Sequence, residues 1–183
     1  MINVDLQHQR YRRYLIHIFV VLVLIVYLVS ANYIFCCLLK VDGEAQICSI
    51  NIPEETGNMI YAFDTVEKHQ IDWKEIITIR GWSFIEGKDA YNSSTYVVIK
   101  TETEEYTFDT RMETRPDVTQ HFANLQLDLD ESGFHSNIPL ERIPDGKHQI
   151  GIMISRNDAD SISYILTNTY IVKKGKTVEM NRR

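Results

Sequence analysis

The longest apolar pattern in the chain is a run over residues 15–39. It carries no formal charge, and its strongly polar positions are His17, Ser30 and Asn32. A helix of about 20 apolar residues crosses the hydrocarbon core of a bilayer, and this run is longer than that. The pattern therefore predicts a transmembrane helix over the whole run.

Basic residues are concentrated in front of this run. Arg10, Arg12 and Arg13 belong to the preceding tail, residues 1–14, whereas Lys40 is the basic residue close behind the run. Basic flanks of a membrane helix stay on the cytoplasmic side. We therefore expect a single-pass protein of the cell membrane whose N-terminus is cytoplasmic and whose C-terminal part lies outside the cytoplasm.

A cleaved signal peptide is the competing interpretation of the same run. Val29, Ser30 and Ala31 have the small residues that a signal peptidase accepts, with cleavage after Ala31. We favour the anchor because the run resumes at Tyr33 and exceeds the length of a typical signal-peptide core. Under both interpretations the residues beyond 40 lie outside the cytoplasm.

Apolar and polar residues alternate with period two in eight short segments beyond residue 58. These segments are Met59 to Val66, Ile76 to Phe84, Thr95 to Thr101, Glu105 to Thr110, Asn124 to Asp130, Phe134 to Ile138, Lys147 to Ser155 and Ser161 to Val172. The alternation is plainest at two places, namely Leu125, Leu127 and Leu129, and Ile150, Ile152 and Ile154. Since alternate residues of a strand share one face, each segment predicts a half-buried antiparallel strand.

Turn sequences rich in Gly, Pro, Asp and Asn separate these strands, and no long amphipathic helical pattern occurs among them. The predicted fold is therefore mainly β: one N-terminal transmembrane helix, then an antiparallel β-sandwich, Ig-like or jelly-roll-like, of about seven to eight strands. The sandwich occupies residues 59–176. Residues 40–58 are interpreted as a linker with one stretch suited to an edge strand, Ile47 to Ile52, and residues 177–183 as a C-terminal tail.

One helical turn is predicted from Arg115 to Phe122. Pro116 excludes a central strand there, and Asp117 with Gln120 has the spacing of a capping box. We expect this turn to lie on the sandwich as a lid or as a crossover between its sheets.

Charge and cysteine content narrow the possible partners. Residues 1–40 carry +3 and residues 41–183 carry −9, which together give the net charge of −6. A domain this acidic is repelled by phosphates, so nucleic acid and anionic lipid head groups are poor partners for it. Cys36, Cys37 and Cys48 all precede residue 59, so a disulfide framework is excluded for the sandwich.

Several short pieces of the domain resemble a poorly characterised β-sandwich module of bacterial envelope and surface-polysaccharide-associated proteins. The pieces are Ile79 to Trp82, Tyr96 to Ile99, Arg115 to Val118, Ser132 to Phe134 and Gly146 to Gly151, and they span roughly residues 71–173. The resemblance implies an extracytoplasmic location and an association with surface glycans. It does not transfer a binding site.

Four residues form the candidate ligand site: Trp82, Tyr96, Arg115 and Asp117. Trp82 is suited to stack on a sugar together with Trp73, Tyr91 or Tyr96, although a tryptophan that plugs one end of the sandwich explains it better, because buried aromatic residues dominate such cores. Arg115 and Asp117 offer polar contacts to a glycan, although an ion pair and a helix cap account for both. We favour the structural explanation in each case.

No catalytic motif, metal-ligand spacing or cofactor loop is found in the sequence, so we expect neither an enzyme nor a bound cofactor or metal. The first functional hypothesis is an accessory protein of a bacterial envelope that binds surface polysaccharide or its precursors. The second is a structural subunit whose helix docks on a multi-span glycosyltransferase, flippase or exporter. The expected partners are thus the lipid bilayer, a cell-surface glycan and a multi-span membrane protein.

Overall fold

The computed structural model describes residues 17–27, 44–71, 73–157 and 161–182, in two units divided between Asp42 and Gly43. The described part of the first unit is one helix, α1, over residues 17–27. No helix in these ranges combines the length and the apolar character that a membrane crossing requires. The basic tail, the proposed cleavage site and the rest of the predicted helix over 15–39 lie outside the described residues, so the membrane span remains a prediction.

The described part of the second unit is mainly β, as predicted, and contains ten strands. They are β1 Ile47–Cys48, β2 Met59–Ile71, β3 Lys74–Ile85, β4 Ser93–Lys100, β5 Glu105–Asp109, β6 Arg111–Glu113, β7 Gly133–Pro139, β8 Gly146–Arg156, β9 Ser161–Lys174 and β10 Thr177–Arg182. One α-helix, α2 Pro116–His121, and 3-10 turns at Ala123–Leu125, Asp130–Ser132 and Leu140–Arg142 interrupt them. Seven of the eight predicted strands are therefore confirmed. The remaining three strands of the structure, β1, β6 and β10, lie outside the eight predicted segments.

The strands form two antiparallel sheets. The six-stranded sheet has the order β1-β5-β4-β8-β9-β10, and the four-stranded sheet has the order β2-β3-β7-β6. The expected tail from residue 177 onward forms β10, which pairs with β9 along its length.

The inward faces of the two sheets share one core. Ile79 and Phe134 from the four-stranded sheet join Val97, Phe108 and Ile152 from the six-stranded sheet, and all five are fully buried. Side chains that alternate along each strand explain the pattern, because every second residue points to this core. The arrangement is consistent with the predicted β-sandwich.

Residues 44–58, which the sequence assigns to the linker, lie against the second unit. β1 pairs with β5 at the edge of the six-stranded sheet. Beyond it, Ile50 and Ile52 pack on the outer face of that sheet, and the Thr56 amide donates to the Tyr164 carbonyl oxygen at 2.9 Å. This segment therefore covers apolar side chains that the sheet presents on its outer side.

The predicted strand from Asn124 to Asp130 is wrong. Residues 123–125 form a 3-10 turn, and Gln126 has a left-handed backbone with φ of 55°. The amides of Asp128, Leu129 and Asp130 then bind side-chain oxygens of Asp89, Thr119 and Asp128 respectively. Because side chains satisfy these amides locally, the segment needs no neighbouring strand.

The predicted helical turn is confirmed as α2, but its capping box is not present. No side chain caps the N-terminus of α2, and the Asp117 carboxylate instead binds the Arg115 guanidinium. A charge-assisted bidentate contact is stronger than a neutral one, which explains this choice of partner. α2 connects β6 to β7 within one sheet, so it lies on the four-stranded sheet and is not a crossover between sheets.

Candidate functional site

The candidate site is an open groove of about 390 Å³ on the outer face of the four-stranded sheet. Along β3, Ile77 and Ile79 point into the shared core, and Trp82 and Phe84 point to the opposite, outer face. α2 lies on this outer face. The groove is lined by Trp82, Asp117, Val118, His121 and Phe122, and we call it the Trp82 groove.

Aromatic packing sets the position of the tryptophan in this groove. The Trp82 ring stacks on Phe84 at a centroid distance of 5.9 Å and meets Phe122 edge to face at 5.5 Å. His121 also meets Phe122 edge to face, at 4.8 Å. Phe84 and Val118 are buried beneath, whereas Trp82 and Phe122 are half-buried. Trp82 is therefore both part of a small second core and part of the groove wall.

A bulge in β2 supplies the charged partner for the rim of the groove. Pairing between β2 and β3 shifts after Phe63, which leaves Asp64 as the extra residue opposite Gly81. A Cβ atom on Gly81 would lie 2.2 Å from the Ala62 carbonyl oxygen, so only glycine fits at this close approach. The bulge turns the Asp64 carboxylate towards Arg115, whose Nη1 lies 2.5 Å away.

Arg115 joins this bulge to the first turn of α2. Its Nε and Nη2 atoms donate to the two carboxylate oxygens of Asp117 at 2.9 and 2.7 Å. Gly133 makes room for the side chain, because a Cβ atom there would lie 2.5 Å from Arg115 Cγ. Arg115 therefore holds a fixed position behind the groove, and Asp117 carries the charge at the rim.

The electrostatics of the pair favour an ionised carboxylate. The hydrogen bonds from Arg115 lower the pKa of Asp117 below its ordinary value, and the same contact raises the pKa of the guanidinium. The Asp117 side chain is still 62% exposed. Each of its oxygens keeps a free lone pair, so the carboxylate can accept further hydrogen bonds from a ligand hydroxyl or amine.

The structure brings three of the four predicted site residues together. Trp82 and Asp117 line the groove, and Arg115 lies behind it. Tyr96 is elsewhere: it packs beside Val98 on the outer face of the six-stranded sheet. The shared core lies between Tyr96 and Trp82, so these two rings do not form one stacking platform.

The other aromatic residues considered with Trp82 also lie apart from the groove. Trp73 precedes β3, and nine residue steps along the strand separate it from Trp82 by about 30 Å. Tyr91 lies in the turn between β3 and β4, where the Arg156 guanidinium stands 5.8 Å from its ring centre. The ring partners of Trp82 are thus Phe84 and Phe122, and His121 shares the groove with it.

Besides Trp82 and Asp117, two further groove residues had a signal in the sequence, whereas His121 of the groove and Asp64 behind it had none. The spacing of Val118 and Phe122 on α2 predicts one apolar edge, and this edge does pack against Trp82. His121 and Asp64 have no distinguishing pattern, because their roles depend on the α2 position and on the β2 bulge. Both features arise from contacts between distant parts of the chain.

Within the described ranges, no cluster of three or more His, Cys, Asp or Glu side chains has an arrangement that could hold a metal ion. The groove chemistry therefore consists of aromatic faces, one imidazole and an arginine-bound carboxylate. Neither protein-family models, nor curated proteins, nor solved structures give a match to this chain.

Proposed function

We propose that this protein is a membrane-anchored, non-catalytic binding module of a bacterial envelope, and that its Trp82 groove binds a surface polysaccharide or its precursors. The observation that carries the proposal is the combination in one open groove of the Trp82 and Phe122 rings with the exposed Asp117 carboxylate. The extracytoplasmic β-sandwich, Ig-like or jelly-roll-like, would present this groove outside the cell.

The chemistry of the groove suits a sugar. Aromatic faces pack against the apolar C–H side of a pyranose ring, and a carboxylate accepts hydrogen bonds from its hydroxyl groups. The groove volume of about 390 Å³ falls within the range of small-molecule sites. Because Arg115 already holds Asp117 in place, a ligand would not have to order that side chain.

Charge narrows the class of glycan. Residues 41–183 carry −9, and Asp117, the carboxylate that lines the groove, shares the Arg115 guanidinium with a second carboxylate, that of Asp64. An acidic polysaccharide would meet repulsion from this surface. We therefore expect neutral or amino-substituted sugars to bind in preference to uronic acids or phosphorylated glycans.

The apolar side chains of α1 support the membrane anchor. Ile18 to Tyr27 are ten consecutive apolar residues, and all of them are exposed. Ten residues of a helix cover all of its sides, since one turn takes 3.6 residues. A helix that is apolar all round requires lipid or a protein partner around it, and the preceding arginines orient it with its N-terminus inside.

The test is a glycan array probed with the full chain in detergent. Wild-type protein should bind a subset of neutral or amino sugars. Asp117→Asn and His121→Ala alter the exposed rim without removing buried apolar side chains, so they should weaken binding about tenfold, the effect of one hydrogen bond to a charged group. Glu102→Gln, an exposed carboxylate in the turn between β4 and β5, is the matched control and should bind as wild type does.

Two results would count against this role. One is the absence of binding to every glycan on the array, and the other is binding that both rim variants leave unchanged. Co-purification with a multi-span membrane protein, abolished by replacing residues 15–39, would then favour the structural-subunit hypothesis.

A further inference from the structure

The end of the domain opposite the Trp82 groove is where the chain enters from residue 43. Glu44 lies there, with its carboxylate 2.6 Å from Lys74 Nζ and 3.5 Å from Arg142 Nη2. The turns that connect β2 to β3 and β9 to β10 lie at the same end, since Lys68 Nζ donates to the Lys176 carbonyl oxygen. We call this region the entry end.

Trp73 is the unusual residue of the entry end. It precedes β3, its side chain is 62% exposed, and it borders a groove of about 280 Å³. The groove is also lined by Lys74, Glu75, Leu140, Glu141, Lys173 and Lys176. An exposed indole beside lysines is typical of a protein surface at a membrane interface, where the ring occupies the head-group region.

Ion pairs neutralise most of the acidic groups at the entry end. Three lysines are already paired: Lys74 with Glu44, Lys68 with Glu75 at 2.8 Å, and Lys173 with Asp145 at 3.1 Å. Lys174 and Lys176 are exposed, and no salt bridge in the described part of the chain involves either of them. These two ammonium groups are therefore available to an external anion.

The charge of the entry end is opposite in sign to that of the domain. Its described side chains include six bases and four acids, and Asp72, next to Trp73 in the sequence, is a fifth acid, so the surplus is +1, where residues 41–183 as a whole carry −9. The bases are Lys68, Lys74, Arg142, Lys173, Lys174 and Lys176, and the acids are Glu44, Glu75, Glu141 and Asp145. Repulsion inferred from the net charge of the domain therefore does not apply to this end.

Chain length limits how far the entry end can be from a bilayer. Five peptide steps connect Leu39, the last residue of the apolar run, to Glu44. An extended chain gains at most about 3.6 Å per residue, so these two residues lie within about 18 Å of each other in any conformation. If the apolar run spans a membrane, the entry end is confined to the vicinity of its outer surface.

We infer that the entry end rests on an anionic bilayer surface, with the Trp73 indole among the head groups and with Lys174 and Lys176 close to lipid phosphates. The inference rests on the membrane anchor of the proposed function and adds to it the orientation of the domain. The Trp82 groove, about 30 Å along β3 from Trp73, then faces away from the membrane. A glycan approaching from outside meets the groove first.

The test uses the full chain in lipid nanodiscs with brominated acyl chains, made from phosphatidylcholine alone or with phosphatidylglycerol added. Trp82→Phe leaves Trp73 as the fluorescent reporter, and Trp73→Phe leaves Trp82. We expect the Trp73 reporter to be quenched, more strongly in the anionic discs, and the Trp82 reporter to be unquenched in both. Lys174→Glu with Lys176→Glu should remove the increase caused by the anionic lipid.

Lys88→Glu is the matched control, because Lys88 is an equally exposed lysine in the turn after β3, at the Trp82 end. It should leave the quenching of Trp73 unchanged. Equal quenching of the two reporters, or an effect of Lys88→Glu as large as that of the double variant, would overturn the inference. So would a concentration-dependent blue shift of Trp73 in detergent without lipid, since a second copy of the chain would then cover it.

Alkaline carbonate extraction of the reconstituted chain distinguishes a failure of the membrane anchor from a failure of the docking of the entry end. A chain released by carbonate has no membrane anchor, and both the proposed anchoring and this inference fail. If the chain stays in the membrane but Trp73 remains unquenched, the anchor stands and the docking of the entry end alone is refuted.

Discussion

The two ends of β3 place the same residue type in opposite environments. Trp82 is half-buried between Phe84 and Phe122, beneath the segment that contains α2. Trp73 is 62% exposed and surrounded by lysines and their ion pairs. The difference shows that an indole in this domain gains packing partners where another segment crosses the sheet, and stays largely exposed where the chain only turns.

The two ends should also differ in how much they contribute to folding. Stability at the Trp82 end comes from apolar burial. The entry end adds ion pairs to the shared core, and a pair of partly exposed groups such as Lys68 and Glu75 contributes little. Three substitution experiments on the full chain in detergent test this difference.

The largest effect is expected at Leu129. Its side chain is fully buried in the second cluster, together with Phe84 and Val118. Leu129→Ala should therefore lower the free energy of unfolding by about 2–5 kcal/mol. Leu125→Ala is the matched control: Leu125 is 39% exposed, and its truncation should cost less than about 1 kcal/mol. Urea denaturation followed by circular dichroism measures both. Equal losses would restore the interpretation of this segment as a regular strand.

A smaller effect is expected from the tryptophans themselves. Trp82→Ala removes a half-buried ring and should lower the free energy of unfolding by about 2 kcal/mol, below the range for a fully buried aromatic residue. Trp73→Ala should change it by less than about 0.5 kcal/mol, because an exposed ring contributes little packing. A similar loss in both variants would mean that the entry end is also covered in the folded protein.

The smallest effect concerns acid sensitivity, which both ends should show for different reasons. Hydrogen bonds from Arg115 lower the pKa of Asp117. At the entry end, the Gly175 amide and then Lys173 lower the pKa of Asp145. A folded pKa below the ordinary value of 3.8 gives stability that is present above that pH and is lost as the pH falls through the lowered value.

Asp117→Asn and Asp145→Asn should therefore each reduce the loss of stability on acidification below about pH 4, as measured by urea midpoints at several pH values. Arg115→Gln should reproduce the effect of Asp117→Asn, since the guanidinium is the main cause. Lys173→Gln should reproduce the effect of Asp145→Asn only in part, because a backbone amide remains. A midpoint curve that neither aspartate variant changes would contradict both assignments.

Much of the domain could be predicted because its strands carry local information. Along β3, β4 and β8 the alternation of apolar and polar residues determines which side chains face the core. This pattern involves only residues that are close together in the sequence. Pro116 likewise indicates the start of α2 without reference to distant residues. The alternation at Leu125, Leu127 and Leu129 gave a wrong prediction of a strand. The same spacing of apolar residues also suits an irregular segment that crosses a sheet and whose backbone amides bind side-chain oxygens.

The candidate site was only partly predictable, since its residues meet through long-range contacts. Asp64 and Arg115 are 51 residues apart in the sequence. They meet because of a bulge in β2 that no local sequence pattern predicts. Tyr96 and Trp82 belong to strands that are consecutive in the sequence, yet the strands lie in different sheets. The sheet topology therefore excludes the stacking platform that was considered for these two rings.

By itself the sequence determined a mainly β domain behind an apolar run with basic residues in front, because periodicity and charge order are properties of adjacent residues. Only the tertiary structure decided where the charges and aromatic rings of that domain lie. Lys68 and Lys176 are 108 residues apart and meet because two hairpins turn at the same end. A net charge cannot reveal such a cluster, since it sums over all surfaces, whereas a partner contacts only one of them.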